Sequence, residues 1–356
     1  MNIEKNSLLG QIFLISLPTT YIDNTSMKLL NNIKPGGIIL FKNNIESIQQ
    51  LKQLNKEIIK LLKIPPFIAI DEEGGSVHRL NKILPPLPSP SIIGSKLEPK
   101  IVEQLHYSLS IILKYLNINL NLYPVVDIPY NNSILYDRCL TTDINIMTDY
   151  LKKIIHAYKT TNLFYCFKHF PGLGNTIIDS HQNLPTCNLT LKQLWNTDLY
   201  PYRKFIKQIP FIMIAHCFYS KITNDKISSL SKNIITNLLK KKLNYKGQIL
   251  TDDLAMKAVI QDIDIPHACL KAIKAGCHYV TICHSYDDIF NAWELINNQI
   301  TKDKELKKSL NKNIKKILSY KRKLIKIQNE HPIDTEKFYK SIEILNKINQ
   351  KLNTPG

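Results

Sequence analysis

With 356 residues, 44% of them hydrophobic, the chain can bury a core large enough for one large domain or two ordinary ones. No apolar run approaches the roughly 18 residues of a membrane span, and seven scattered cysteines without a CxxC pair speak against a disulfide framework, reading instead as reduced core thiols. The formal net charge of +18 raises nucleic-acid binding, but the lysines are spread along Ile- and Asn-rich sequence with no accompanying motif, so neither a nucleic-acid nor a membrane partner is expected.

At the N-terminus, Glu4 and Lys5 flank an apolar stretch that stops at Pro18 without a small-residue cleavage pattern. That argues against a secretory signal and for a cytoplasmic protein. Short apolar runs then recur at 11–17, 37–41, 67–71, 119–127, 165–169, 211–216, 247–252 and 279–284. Apolar on both faces, they read as strands of a parallel sheet covered by helices. Between them, Ser47 can cap a helix whose Ile48, Leu51, Ile58 and Leu62 share one side, ended by Pro65-Pro66. Ser231 can cap a second, over 232–243, with Ile234, Ile235, Leu238 and Leu239 inward. Near the C-terminus Leu306, Leu310, Ile314, Ile317, Leu318 and Leu324 recur at helical spacing among lysines, the pattern of a basic helix packed by its apolar stripe. Strands alternating with helices predict an α/β fold, a single (β/α)₈ TIM-type barrel with C-terminal helices. The domain expectation is one catalytic barrel over 1–356, with about 300–356 a basic helical extension. A doubly wound open sheet is the alternative, without a GxGxxG turn after the first strand to support it.

Asp71, Asp127, Lys168 and His169, His216, Asp252 and His284 all fall at the C-terminal ends of their runs. In a barrel that end carries the active site. Asp71 opens Asp71-Glu72-Glu73-Gly74-Gly75-Ser76-Val77-His78-Arg79 and could accept hydroxyl hydrogen bonds from a sugar; the loop could equally be held by its own salt bridges. Only four arginines occur among 47 Lys and Arg residues, so Arg79 and Arg138 are candidates for a need that lysine cannot meet. Arg138 could grip a ligand or pin its loop to Asp137. Asp179-Ser180-His181 pairs a carboxylate with an imidazole, as an acid/base dyad requires, and with His169 could also suggest a metal site, for which further ligands do not stand out. Asp252 could serve as a nucleophile. Strand alternation then turns Asp253 elsewhere, to cap a helix over 254–259.

Taken in order, Gly36-Gly37-Ile38-Ile39-Leu40-Phe41, the Ile70 to Arg79 stretch, Lys168 to Gly174 with Asp179-Ser180-His181, Ala215-His216 and Leu250 to Met256 form a specific set over 36–285. This set resembles the β-N-acetylhexosaminidases of glycoside hydrolase family 3, particularly the short cytoplasmic enzymes of peptidoglycan recycling. The resemblance implies Asp252 as nucleophile, His181 as general acid/base supported by Asp179, and Asp71, Arg79, Arg138, Lys168 and His169 as the groups holding an N-acetylglucosamine ring. It implies a retaining reaction on a small glycan such as a GlcNAc-anhydromuropeptide, without metal or organic cofactor, by a monomer. Ser76 and Leu173 stand where the family usually has Arg and His, and Asn175 where Asp is common; none of these removes a residue assigned to chemistry. A phosphorylase using the same residues, and a non-catalytic basic binding protein on a barrel scaffold, are the competing expectations.

Overall fold

The structure is a computed structural model that describes residues 5–130, 133–176, 182–330 and 333–353. Among them eight parallel strands close into a barrel in the order β1-β8-β7-β6-β5-β4-β3-β2. The strands are β1 Phe13–Ser16, β2 Gly37–Leu40, β3 Phe67–Ile70, β4 Leu120–Asn121, β5 Phe164–Phe170, β6 Phe211–Ile214, β7 Gln248–Asp253 and β8 Tyr279–Ile282. Each lies within or at the edge of an apolar run seen in the sequence. They are buried on both faces because helices cover the outside and side chains fill the inside.

The run at 119–127 forms less ladder than expected. Pro124 has no N–H to donate, so regular pairing stops at Asn121. The chain still tracks β5, with Val126 N donating to the Lys168 carbonyl at 2.8 Å, and so delivers Asp127 to the barrel mouth.

The expected helices form for local reasons. Ser47 Oγ accepts from Gln50 N at 3.1 Å to start α1, Ile48–Leu61, which buries Leu51 and Ile58. Such a cap contributes about 1 kcal/mol. Ser231 Oγ accepts from Ile234 N at 3.2 Å, and Ile234, Ile235, Leu238 and Leu239 are buried as expected. That helix, Asn233–Lys242, is wound more widely than an α-helix: Leu243 N donates to the Leu238 carbonyl, five residues back. Further α-helices wrap the barrel: α2 Pro90–Lys96, α3 Pro99–Tyr115, α4 Ile144–Thr160, α5 Ile265–Ala275 and α6 Tyr286–Lys302.

The N-terminal end of the barrel is filled by aromatic side chains from the first residues of four strands or their neighbours. Phe67 lies 5.1 Å from Phe211, 5.5 Å from Phe164 and 6.3 Å from Tyr279, measured between ring centroids. Helix α7, Lys304–Glu330, lies across this end, burying Leu306, Leu310, Ile314, Ile317 and Leu324, with Tyr320 5.9 Å from Phe211. Its Asn313 donates to the Cys277 and His278 carbonyls and its Lys316 to the Gly247 carbonyl. A last helix, α8 Thr335–Asn353, packs on α3 through Phe338, whose ring stacks 4.2 Å from Tyr115. No helix among the described residues is long and apolar enough to cross a membrane.

Candidate active site

Directly after β3 the chain alternates between two jobs. Glu72 turns inward to the protein: its side chain pairs with His78 Nδ1 at 2.5 Å and accepts from the backbone of Arg79 and Leu80 at 3.0 Å each. This closes the loop on itself, with Gly74 at φ 94° and Gly75 at φ 56° supplying a turn that residues with a Cβ rarely adopt. Asp71 and Glu73, two positions apart, reach the cavity instead. The reading of a loop held by its own salt bridge therefore applies to Glu72 and His78, while Asp71 and Glu73 line the cavity.

The cavity at the C-terminal mouth has a volume of about 260 Å³. Ile39, Leu122, Met213 and Thr281 contribute from the barrel's inner wall, and Asp71, Glu73, Arg79, Arg138, Lys168, His169, Asp252 and Asp253 bring polar groups to it. Lys168 Nζ donates to Asp71 Oδ1 at 2.7 Å and contacts Glu73 Oε1 at 2.5 Å. Arg138 grips Glu73 with two parallel bonds, Nε to Oε2 at 2.9 Å and a terminal nitrogen to Oε1 at 2.8 Å. This corrects the alternative that Arg138 pins its loop to Asp137; that carboxylate accepts from Ser91 Oγ at 3.2 Å. Only guanidinium offers the fork that makes the bidentate pair, which accounts for an arginine here in a lysine-rich chain.

Burial alone would raise the Glu73 carboxyl, but Arg138 and Lys168 outweigh it and hold the group far below the usual carboxylate range. Burial would likewise deprotonate Lys168, and Asp71 and Glu73 reverse that, raising its ammonium above the ordinary value. Arg79 lines the cavity with its guanidinium 5.5 Å from the Phe41 ring, and its Nε has no hydrogen-bond partner among the described residues.

Two irregularities in the barrel explain why consecutive residues share the cavity. In β5 against β6, Phe167 pairs with Ile212 but Phe170 with Ile214, so three steps oppose two. The surplus residue interrupts alternation, and Lys168 and His169 both line the cavity. In β7 against β8, Leu250 pairs with Tyr279 but Asp253 with Thr281, again three against two. Asp252 and Asp253 consequently both line it, correcting the expectation that only one would face the site. Nor does Asp253 cap a helix over 254–259: its Oδ1 accepts from Ala255 N and Cys283 N at 3.0 Å each, and the helical turn Lys257–Ile260 starts after Met256.

His169 is oriented from behind. Asp127 Oδ2 takes its backbone N–H at 3.1 Å and lies 2.8 Å from Nδ1, so Nδ1 carries a proton and Nε2 is left for a ligand. Asp127 Oδ1 accepts from Leu173 N at 2.7 Å, which ties the loop after β5 to the same carboxylate. Gly172, at φ 137°, passes so close to Asp198 that a Cβ there would sit 2.2 Å from the Asp198 Cβ. Burial, with Asp127 nearby, pushes Asp198 up to about 7. Leu173 itself is buried and contributes to the cavity wall, while Ser76 is exposed.

Asp252 Oδ1 accepts from Asp253 N at 2.8 Å. Burial would raise this carboxyl, but His216, His169, that N–H and Lys168 together keep it below its ordinary value, ionised at neutral pH. His216 is buried behind it, with Nδ1 2.7 Å from Ser229 Oγ and Nε2 2.9 Å from the Asp253 carbonyl. The ring of His284, expected at this end, lies tilted against Phe41, 4.7 Å away between centroids. Asp179 and His181 lie outside the described residues. The structure thus brings together Asp71, Arg79, Arg138, Lys168, His169 and Asp252, and adds Glu73, Asp127 and His216 as their supports.

Closed barrel and carboxylate-rich mouth define a (β/α)₈ enzyme barrel. Its relatives narrow the class. The chain belongs to glycosyl hydrolase family 3: residues 6–320 match the family's N-terminal domain. A β-hexosaminidase of Haemophilus influenzae is 28% identical over 282 residues, covering 78% of this chain and 80% of that one. A fungal multi-domain family 3 β-N-acetylglucosaminidase with a glucosamine N-acetyltransferase region superposes with a TM-score of 0.91 at 25% identity, over 98% of this chain. This chain spans 42% of that longer protein. NagZ from Neisseria gonorrhoeae, solved with N-trifluoroacetyl-D-glucosamine, gives a TM-score of 0.80 at 23% identity, covering 97% of this chain and 98% of that one.

Proposed function

We propose that the protein is a retaining exo-β-N-acetylglucosaminidase working through a glycosyl-enzyme on Asp252. Its class, a glycoside hydrolase of the β-N-acetylhexosaminidase type, follows from family membership together with its curated relatives. The observation that carries the finer reading is Asp252 itself: a partly buried carboxylate on the cavity wall, kept ionised by neighbouring imidazoles, Lys168 and an N–H. Opposite it stands a preformed set of charge-assisted donors and acceptors suited to sugar hydroxyls, Asp71, Lys168 and Arg138 locked through Glu73, with Arg79 and His169 beside them.

In this reading Asp252 attacks the anomeric carbon while His181, supported by Asp179, protonates the leaving oxygen; His181 then activates water to release the sugar. Most retaining glycosidases place two carboxylates about 5–5.5 Å apart; a histidine in one role removes that spacing as a criterion. A cavity of about 260 Å³ suits a single ring, hence exo action. Release of N-acetylglucosamine from 1,6-anhydromuropeptides in a cytoplasmic recycling route, by one catalytic domain acting as a monomer, completes the proposal.

The test is hydrolysis of an aryl β-N-acetylglucosaminide. Asp252→Ala should lose on the order of 10³-fold or more in kcat, and equal rates would remove Asp252 as nucleophile. His181→Ala should slow poor leaving groups more than good ones, because good ones need less acid; uniform slowing would remove the acid role. Formation of the sugar 1-phosphate in phosphate buffer would replace hydrolysis by phosphorolysis.

A further inference from the structure

The groups proposed to hold the sugar are not all fixed in the same way. Lys168 is locked by Asp71 and Glu73, Arg138 by its fork on Glu73, and His169 by Asp127. Arg79 is anchored differently. Its Nε is buried with no hydrogen-bond partner among the described residues, and its guanidinium lies 5.5 Å from the Phe41 ring. The aim of this long side chain therefore depends on the backbone that carries it.

That backbone is held by a histidine. Glu72–Gly74 pairs antiparallel with Val77–His78, which sets Glu72 opposite His78. Both side chains are buried, and His78 Nδ1 lies 2.5 Å from Glu72 Oε1 while Oε2 takes the N–H groups of Arg79 and Leu80. The other ring nitrogen, Nε2, lies 3.2 Å from the Pro85 carbonyl. One imidazole thereby joins the hairpin to the chain leaving it, whose turn is closed by Ile83 N and Leu84 N donating to the Leu80 carbonyl at 2.9 Å each. Glu72 is itself tied to the barrel: its N–H donates to Asn121 Oδ1 at 3.1 Å, and its carbonyl accepts from Asn121 Nδ2 at 3.0 Å. Asn121, Glu72 and His78 form a continuous link from the barrel wall to the backbone of Arg79.

We propose that His78 is a positioning residue for substrate binding: by bridging Glu72 and the Pro85 carbonyl it fixes the backbone from which Arg79 reaches the cavity. The role rests on the glycosidase reading and deepens it, since His78 acts on the sugar only through Arg79. An imidazole suits the task because its two nitrogens point apart in one rigid plane and so reach acceptors on two segments at once. Leucine, of similar size, reaches neither and leaves Glu72 Oε1 buried without this partner. Glutamine can keep one of the two contacts.

The test is a double-mutant cycle on the full chain, read by hydrolysis of an aryl β-N-acetylglucosaminide and by inhibition with free N-acetylglucosamine. His78→Leu should raise KM and the inhibition constant about fivefold or more while kcat changes little, the pattern of lost uniform binding. His78→Gln should raise both by less. In an Arg79→Ala background neither substitution should raise either constant further, because the group they aim is gone. Thermal melts establish that each variant is folded, and should His78→Leu fail to fold, His78→Gln decides alone. Unmoved constants in the folded variants, or the same rise in the absence of Arg79, would overturn the role of His78 and leave the glycosidase reading intact. Absence of hydrolysis by the unaltered protein would overturn both.

Discussion

Glu73 satisfies Arg138 and Lys168 with one fully buried carboxylate, so its loss reaches two proposed sugar-binding groups at once. Glu73→Gln keeps the shape and removes the charge. Breaking a buried pair from one side costs about 3–5 kcal/mol, and Arg138 loses its bidentate partner. The expected outcome is a melting temperature lowered by several degrees and a raised KM; an unchanged KM would show that Arg138 and Lys168 hold their places without it. Because the group sits well below the ordinary carboxylate range, its stabilisation is complete above the unfolded value and is lost only as pH falls through the strongly acid range. Asp71, Arg79, Arg138, Lys168, His169 and Asp252 were legible in the sequence as polar residues closing apolar runs or following them. Glu73 was not singled out, although its two-residue spacing from Asp71 carried the signal. Asp127 and His216 were visible as strand-end residues, but their supporting roles depend on contacts with His169, Leu173, Ser229 and the Asp253 carbonyl, which local sequence does not encode.

At the scale of elements, all eight strands could be read from apolar runs, whereas the bulges in β5 and β7 could not. A bulge is decided by the partner strand's register, and a run of residues such as Leu250-Thr251-Asp252-Asp253 looks alike with or without one. Strict alternation therefore misdirected Asp253. Helix α2 shows how closely elements are fitted around the site. A Cβ on Gly94 would lie 1.6 Å from the Leu140 carbonyl oxygen, two residues beyond Arg138. Gly94→Ala should displace that loop, destabilise the fold by roughly 1–3 kcal/mol and weaken inhibition by free N-acetylglucosamine. Thermal melts and the inhibition constant check this, and an unmoved constant would separate the α2 contact from the position of Arg138.

Across the whole molecule, α7 covers the end of the barrel opposite the cavity and inserts Lys321 there. Its amine is buried, donates to Gln11 Oε1 at 2.6 Å and sits 6.0 Å from the Phe67 ring. Burial pushes it down to about 7 from an ordinary 10.5. Between those values the unfolded chain holds a proton that the folded one lacks, so this group's contribution to stability rises with pH across the window. Its cost is present in full below the window. Lys321→Met should raise the melting temperature most near about pH 6 and least near about pH 10, by on the order of 1–3 kcal/mol at neutrality. A pH-independent difference between the two proteins would assign the effect to packing. The apolar stripe of α7 was legible; the buried lysine within it was not, since the same spacing also suits a solvated position.

A cavity that ends on Ile39, Leu122, Met213 and Thr281 measures a glycan by its termini and not by its mass. In the proposed reaction, two samples of equal weight are unequal substrates when one is cut into shorter pieces, because the number of non-reducing ends per gram sets the rate. Released monosaccharide would accumulate steadily while the viscosity of a long polymer scarcely fell. Any partner enzyme that cleaves such polymers internally would therefore accelerate this one without touching it, simply by multiplying the ends available.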